Sequence, residues 1–253
     1  MKISVIIPAH NRAAFITTAI RSLVAQRQAA DIDIVLVDDG STDATADVVT
    51  ALAAENPAIR LIRQPHQGVA AARNTGLANL HAEAGLVGFL DSDDACAPGR
   101  FATEIPLFRD DPQLMMTYAQ MTMTDGIDAA SLRPPAGAAT CTLRGVSLTT
   151  AIFRRAAIEQ VGCFDPALRQ AEDLDYLLRF FELPLDYRFL DHAAIFYRRH
   201  AGNMTKNREE AQRAFMRALI LATRRRASEG TRREIPKFFD ITALYEARHA
   251  ALL

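Results

Sequence analysis

Short apolar runs alternate along the first hundred residues with stretches whose apolar positions recur every three or four residues. Residues 3–9 form a β-branched apolar run. In residues 12–26, Phe15, Ile16, Ala19, Ile20, Leu23 and Val24 fall at helical spacing. A second apolar run, 32–37, ends in Asp38-Asp39-Gly40-Ser41 and leads into a helix over 44–54. A third strand, 59–62, stops before Pro65, and an alanine-rich helix follows over 68–82. The fourth strand, 86–90, ends in Asp91-Ser92-Asp93-Asp94.

This β-α-β-α order predicts an α/β fold with a mostly parallel central sheet flanked by helices. In open sheets of this kind ligands bind beyond the carboxyl ends of the strands. His10-Asn11-Arg12, Asp38-Asp39, His66-Gln67-Gly68 and Asp91 to Asp94 all fall there, so they describe one site. The second half is less regular. It predicts a strand at 114–124, a Gly/Pro/Ala-rich loop at 125–140 and a strand turning into helix at 150–161. A helix at 172–181 and one or two strands at 187–197 follow. From 208 onward the pattern is helical, with a break near Gly230 and Pro236.

Composition narrows the function. The 253 residues are 49% hydrophobic, enough for one substantial core, and the formal net charge of -1 gives no reason to expect nucleic acid as the main partner. Cys96, Cys141 and Cys163 make no CxxC pair and read as reduced thiols. The N-terminal apolar run is too short for a signal peptide. No stretch reaches the roughly 18 apolar residues of a membrane span, so the expectation is a cytoplasmic protein.

VIIPAHNR, VDDGSTD, HQGVAAARNTGL, FLDSDD, AEDLDYLLRF and YRRHAGNMT occur in this order. Together they resemble the family 2 glycosyltransferases of the GT-A fold, over roughly residues 3–205. The resemblance implies a GT-A domain over 1–205, with a nucleotide-binding half (1–100) and an acceptor-binding half (101–205). Residues 206–253 would form a C-terminal helical extension. It also implies transfer with inversion from a nucleotide-diphosphate sugar, a UDP-sugar being favoured, with Mn2+ or Mg2+. The acceptor is left open among glycans, lipid-linked saccharides, peptides and small molecules.

Each residue has a physical reason beside the resemblance. A leaving diphosphate needs its charge neutralised, and Asp91, Asp93 and Asp94 put carboxylates for a hard cation on one tight turn. By resemblance Asp91-Ser92-Asp93 is the DxD motif, with Asp91 toward the ribose and Asp93 on the metal; Asp94 is not separated from that role. Asp39 resembles the base-accepting residue, and Asp38 the support of the turn. Pro8, His10, Asn11 and Arg12 would wall the base, with His10 where the family often has Tyr. Arg73, one turn into its helix, would meet the donor's base or phosphates. His200 would complete the metal site, and imidazole suits Mn-like ions.

The acceptor hydroxyl needs a base. Leu177 and Phe180 lie four and seven positions after Asp173 and share its helix face, so Asp173 sits at the end of the inward stripe. Glu172, a quarter-turn away, suits a helix N-terminus. The family's ED motif likewise uses the aspartate as base.

Two rivals are a nucleotidyltransferase, which should carry a glycine-rich basic signature near the first strand, and a non-catalytic nucleotide-sugar binding module, which should lose the base. VIIPAHNR lacks that signature, and Glu172-Asp173 are present. Arg224-Arg225-Arg226, Arg232-Arg233 and Lys237 read as a solvated helical face, with peripheral membrane contact as the sharper reading.

Overall fold

The chain builds one nine-stranded sheet with helices on both faces. This computed structural model describes residues 1–144, 147–200, 202–203 and 208–230; the expected break at Pro236 and the basic residues Arg232, Arg233 and Lys237 lie outside them. The elements run β1 (Lys2–Ala9), α1 (Ile16–Val24), β2 (Asp31–Asp39), α2 (Thr45–Glu55), β3 (Ile59–Gln64), α3 (Val69–Ala78), β4 (Ala84–Phe89), β5 (Ala95–Cys96) and α4 (Arg100–Asp110). Then follow β6 (Leu114–Thr124), β7 (Thr140–Leu143), a 3₁₀ turn (Leu148–Thr150), β8 (Ala151–Arg154), α5 (Arg155–Val161), α6 (Glu172–Glu182), β9 (Asp186–Arg198) and α7 (Arg208–Glu229).

Strand order is β3-β2-β1-β4-β8-β6-β9-β5, with β7 also on β6. The β3-β2-β1-β4 half is parallel throughout. In the other half β8 runs antiparallel to both β4 and β6, and β9 lies parallel to β6. The parallel expectation therefore describes the half built from β1 to β4, and the rest of the sheet is mixed.

Period-2 alternation divides the core into two layers. Val5, Ile7, Ile34 and Leu36 pack under α1, α2 and α4 with Ile16, Ile20, Val49, Phe101 and Phe108. Ile6, Val35, Val37, Val87 and Phe89 face the other way, onto α3, α5 and α6 with Ala70, Ile158, Tyr176 and Phe180. Each such aliphatic or aromatic side chain contributes about 1.5–3 kcal/mol by leaving water. Gly76 lets α3 sit directly on β1, since a Cβ there would collide with Ile6 Cγ2. That close approach carries Arg73, on the same helix, under the site.

Residues 12–15 are expected as helix but form a turn closed by Phe15 N–H to Arg12 O at 2.9 Å, so α1 begins at Ile16. Residues 79–82 likewise lie outside α3. The helix α4 was not among the expected elements. Of the basic run, Arg225 turns inward and pairs with Asp175 (2.8 Å) and Glu182 (2.9 Å) of α6. Arg224 instead lines a groove of about 500 Å³ with Arg213, Met216, Arg217 and Ile220. No helix among the described residues is long and apolar enough to cross a membrane.

Candidate active site

The carboxyl ends of β1, β2 and β4 meet the end of β9 in a cluster of polar loops. Asn11 holds the first two loops together. Its backbone is left-handed (φ 53°), its Oδ1 accepts from Thr42 N–H (2.8 Å) and Asp43 N–H (3.3 Å), and its own N–H donates to Ser41 Oγ (2.9 Å). Pro8 and Ser92 are buried and shape the loops from below. Asp38 is buried as well and accepts Ser41 N–H at 3.0 Å, which braces the turn.

Asp39 is the most heavily bonded of the expected residues. Oδ1 accepts from Gln64 Nε2 (2.7 Å) and Gln67 N–H (2.9 Å). Oδ2 accepts from Gly68 N–H (2.8 Å) and faces His66 Nδ1 (2.9 Å). Three donors thus reach the carboxylate, and the His66 Nδ1 hydrogen bond goes to Asp39 O at 3.1 Å. Gly40 makes this convergence possible: its φ is +70°, and a Cβ would stand 2.7 Å from His66 N. His10 places its ring 4.1 Å from that of His66 and its Nδ1 2.8 Å from Asp39 O.

The turn after β4 carries the four residues Asp91 to Asp94. Arg73 is expected on the donor, but its side chain is only 4% exposed and lies beneath this turn. Nη2 pairs with Asp91 Oδ1 at 2.9 Å, Nη1 pairs with Glu172 Oε1, and the guanidinium lies over the Phe164 ring at 5.7 Å. Arg73 therefore joins the β4 turn to the start of α6. Glu172, expected a quarter-turn from the inward stripe, is buried with Arg73. Ala171, at φ 59°, begins the helix in a left-handed conformation and turns Glu172 inward.

Three carboxylates, those of Asp91, Glu172 and Asp173, crowd this one guanidinium. Burial pushes the Glu172 carboxyl up to about 7, with Arg73 opposing and Asp173 and Asp91 adding to the rise. Asp91 is also raised, by burial and by Asp93 and Asp173, against the pull of Arg73, although 38% of its side chain opens to the cleft. Arg73 is held charged by Glu172, Asp91 and Asp173 despite its burial. Asp173 is half-buried; its carboxylate accepts only the adjacent Leu174 N–H (2.8 Å) and makes no ion pair among the described residues.

Asp93 and Asp94 divide their work. Asp94 is 1% exposed and accepts Arg198 N–H at 2.9 Å, anchoring the end of β9; burial and the charges of Asp91 and Asp93 raise its carboxyl well above the usual range. Asp93 faces the cleft side, where its Oδ2 meets His200 Nε2 at 3.0 Å and Arg12 Nε at 3.4 Å. His200 stacks on Phe15 at 4.6 Å, and Asn203 Oδ1 accepts its N–H at 2.5 Å. Neither support was foreseen. Asn203 has its amide in the turn, where Nδ2 also donates to Arg198 O (3.1 Å).

The Asp93–His200 pair fits a divalent cation. Neighbouring ligands of an octahedral ion with bonds of about 2.1 Å stand about 3.0 Å apart, and one hard oxygen with one imidazole suits Mn2+. Two protein ligands are too few for a closed site. Among the described residues no group of three or more His, Cys, Asp or Glu side chains is arranged to hold an ion. Any cation here would be shared with a ligand's oxygens.

Comparisons with known proteins agree with this layout. A glycosyltransferase of Nostoc sp. is 39% identical over 140 residues, 53% of this chain and 42% of that protein, so the chain spans less than half of that relative's length. The crystal structure of S. aureus TarS 1-349 in complex with UDP-GlcNAc superposes with a TM-score of 0.67 at 22% identity, over 87% of this chain and 66% of that one. The mannosyltransferase PcManGT from Pyrobaculum calidifontis, in complex with GDP-Man and Mn2+, gives 0.67 at 20% identity, over 97% and 68%. At such identities the two structures share the fold. The sequence profile described as Glycosyl transferase family 2 matches residues 4–162, well over half of the chain. The chain belongs to glycosyl transferase family 2.

Proposed function

We propose that the protein transfers a sugar, with inversion, from a nucleotide-diphosphate donor to a hydroxyl acceptor. The observation that carries this reading is the meeting of Asp93 and His200, 107 positions apart in sequence, on the same strand-end edge as two partly open carboxylates, Asp91 and Asp173. Asp93 Oδ2 and His200 Nε2 would hold Mn2+ or Mg2+ together with the donor's diphosphate. When bound, the ion supplies the positive charge that lets the diphosphate leave. Asp91, backed by Arg73, offers its open oxygen to the donor's ribose. The donor bound to PcManGT is GDP-Man and that bound to TarS is UDP-GlcNAc, so both nucleotides belong in the test.

Asp173 is the proposed base. Its carboxylate takes the proton of the acceptor hydroxyl as that oxygen attacks the anomeric carbon from the side opposite the diphosphate. Its carboxylate makes no ion pair among the described residues, and its charge acts on Arg73 and Asp91, which supports a position beside the donor. Asp173→Asn should lower sugar transfer about 10²–10⁴-fold. UDP or GDP with Mn2+ should stabilise the variant against heat as well as it does the parent. Near-normal turnover in the variant would remove Asp173 from the mechanism. A screen in which no nucleoside diphosphate, with or without Mn2+, raises the melting temperature would remove the reading itself.

A further inference from the structure

Among the described residues, large apolar side chains reach solvent at Met1, Tyr187, Phe215, Met216 and Ile220, and the last three belong to α7. Met216 is 54% exposed and Ile220 48%. They lie four positions apart, about one turn along the same helix face. Arg213, Arg217 and Arg224 follow at the same spacing of three or four residues and line the same groove. The outward stripe of α7 is therefore apolar and cationic at once.

That stripe is fixed from behind. Ala218 and Ala222 are buried in the core layer that includes α6, and Arg225 pairs with Asp175 and Glu182 of that helix. The helix cannot roll its exposed apolar residues inward without breaking those contacts. Its charge is one-sided as well. Residues 211–228 hold five arginines and no carboxylate, in a chain whose formal net charge is -1. Glu209 meets Arg213 at 3.2 Å, but both side chains are more than 80% exposed, and such a surface pair contributes little.

We propose that this face of α7 docks on an anionic membrane surface. An anionic bilayer supplies, at one boundary, phosphate oxygens for Arg213, Arg217 and Arg224 and an apolar phase for Met216 and Ile220. A second copy of the chain is the poorer match, because pairing this face with itself about a two-fold axis sets arginine against arginine. A nucleic acid offers the phosphates but leaves Met216 and Ile220 without an apolar partner. The contact is shallow and reversible, since membrane affinity scales with buried apolar area and two such side chains bury little. α7 packs on α6, whose first turn carries Asp173, so docking fixes the bilayer relative to that residue. The docking does not depend on the transferase reading.

The test is co-sedimentation of the full chain with sucrose-loaded vesicles, either of phosphatidylcholine alone or of phosphatidylcholine and phosphatidylglycerol in equal parts. The chain should pellet with the mixed vesicles and stay in solution with the neutral ones, and added salt should release it. Arg217→Gln with Arg224→Gln should weaken the partition about fivefold per arginine. Met216→Ser with Ile220→Ser keeps every charge and should weaken it about tenfold. All four positions face solvent, so each double variant should melt as the parent does; if one fails to fold, the other decides. Sedimentation with neither kind of vesicle, equal sedimentation with both, or a partition that either folded variant leaves unchanged would overturn the proposal. An effect of the arginines alone, with duplex DNA displacing the vesicles, would make the face a general polyanion site. A stable dimer that Met216→Ser with Ile220→Ser disperses would assign the face to a second copy instead. None of these outcomes bears on nucleotide binding.

Discussion

Two buried arginine–glutamate pairs divide this molecule by purpose. Arg100–Glu104, on α4, is complete. Arg100 Nε meets Glu104 Oε1 at 3.0 Å, Nη1 donates to Thr149 O (2.9 Å), Thr117 donates to Glu104 Oε2 (2.6 Å), and His192 lies 3.3 Å from Oε1. Burial alone would raise the Glu104 carboxyl; Arg100, His192 and Thr117 overcome it and hold the group below its ordinary value. Arg73–Glu172 has the same two side chains and the opposite balance. Asp91 and Asp173 add negative charge, the added hydrogen bond comes from Glu172's own backbone N–H, and Glu172 rises to about 7. Each guanidinium leaves one nitrogen without a partner, Nη2 in Arg100 and Nε in Arg73, so unsatisfied donors do not distinguish them. What distinguishes them is charge. The α4 pair is neutralised within the fold, whereas the site pair carries a surplus of carboxylate that a cation and its ligand would balance.

The largest expected effect tests the finished pair. Arg100→Leu leaves Glu104, 0% exposed, without its main cation. Removing one partner of such a pair costs about 3–5 kcal/mol. Chemical denaturation should show that loss, while transfer per folded molecule stays at the parent value. A large fall in turnover with full stability would place Arg100 in the site and dissolve the comparison.

Arg73→Leu should divide its effects the other way. Asp91 reaches water and Glu172 can take a proton, so the stability loss should be the smaller, about 1–3 kcal/mol. Turnover should fall by about 10²-fold or more, because Asp91 and the start of α6 lose their common brace. Nucleotide-dependent stabilisation should shrink as well. A stability loss matching that of Arg100→Leu with unchanged turnover would mean that both pairs are structural.

The sequence carried the parallel half of this fold more legibly than the site. Apolar runs closed by polar or proline residues marked β1 to β4, and the strand-to-helix change at 150–161 matched β8 and α5. At α4 the apolar positions Phe101, Ile105 and Phe108 have helical spacing, but Pro106 and four charged residues obscure it. The turn at 12–15 carried an apolar pattern yet was taken by the site, where Phe15 supports His200. Strand-end position brought Asp93 and His200 to notice, and helix-face spacing brought Asp173. The resemblance put Arg73 near the donor and helix-face spacing put Glu172 a quarter-turn from the inward stripe; neither revealed their pairing, because a contact spanning 99 positions leaves no trace in local periodicity. Helix-face logic assumes a regular first turn, and Ala171 at φ 59° breaks that assumption. His66 appeared only as part of a polar cluster, since nothing local reveals that its ring meets His10 and the Asp39 backbone oxygen.

The smallest expected effect is a difference in slope with pH. A carboxyl raised by folding binds its proton more tightly in the native state, so its contribution is present at low pH and is lost as pH rises. For Glu172 the window runs from about 4.3, the unfolded value, to about 7. Glu104, held low, contributes above its unfolded value and loses that contribution as pH falls. Glu172→Gln should therefore flatten the decline in stability between about pH 4.5 and 7 by at most about 1.4 kcal/mol per pH unit. Glu104→Gln should instead lower stability at neutral pH and reduce its further loss on acidification. Denaturation midpoints from pH 3 to 8 for both variants would show the two slopes changing at opposite ends. If both variants altered the acid end alone, Arg73 would be neutralising Glu172 as fully as Arg100 neutralises Glu104, and the charge surplus assigned to the site would not exist.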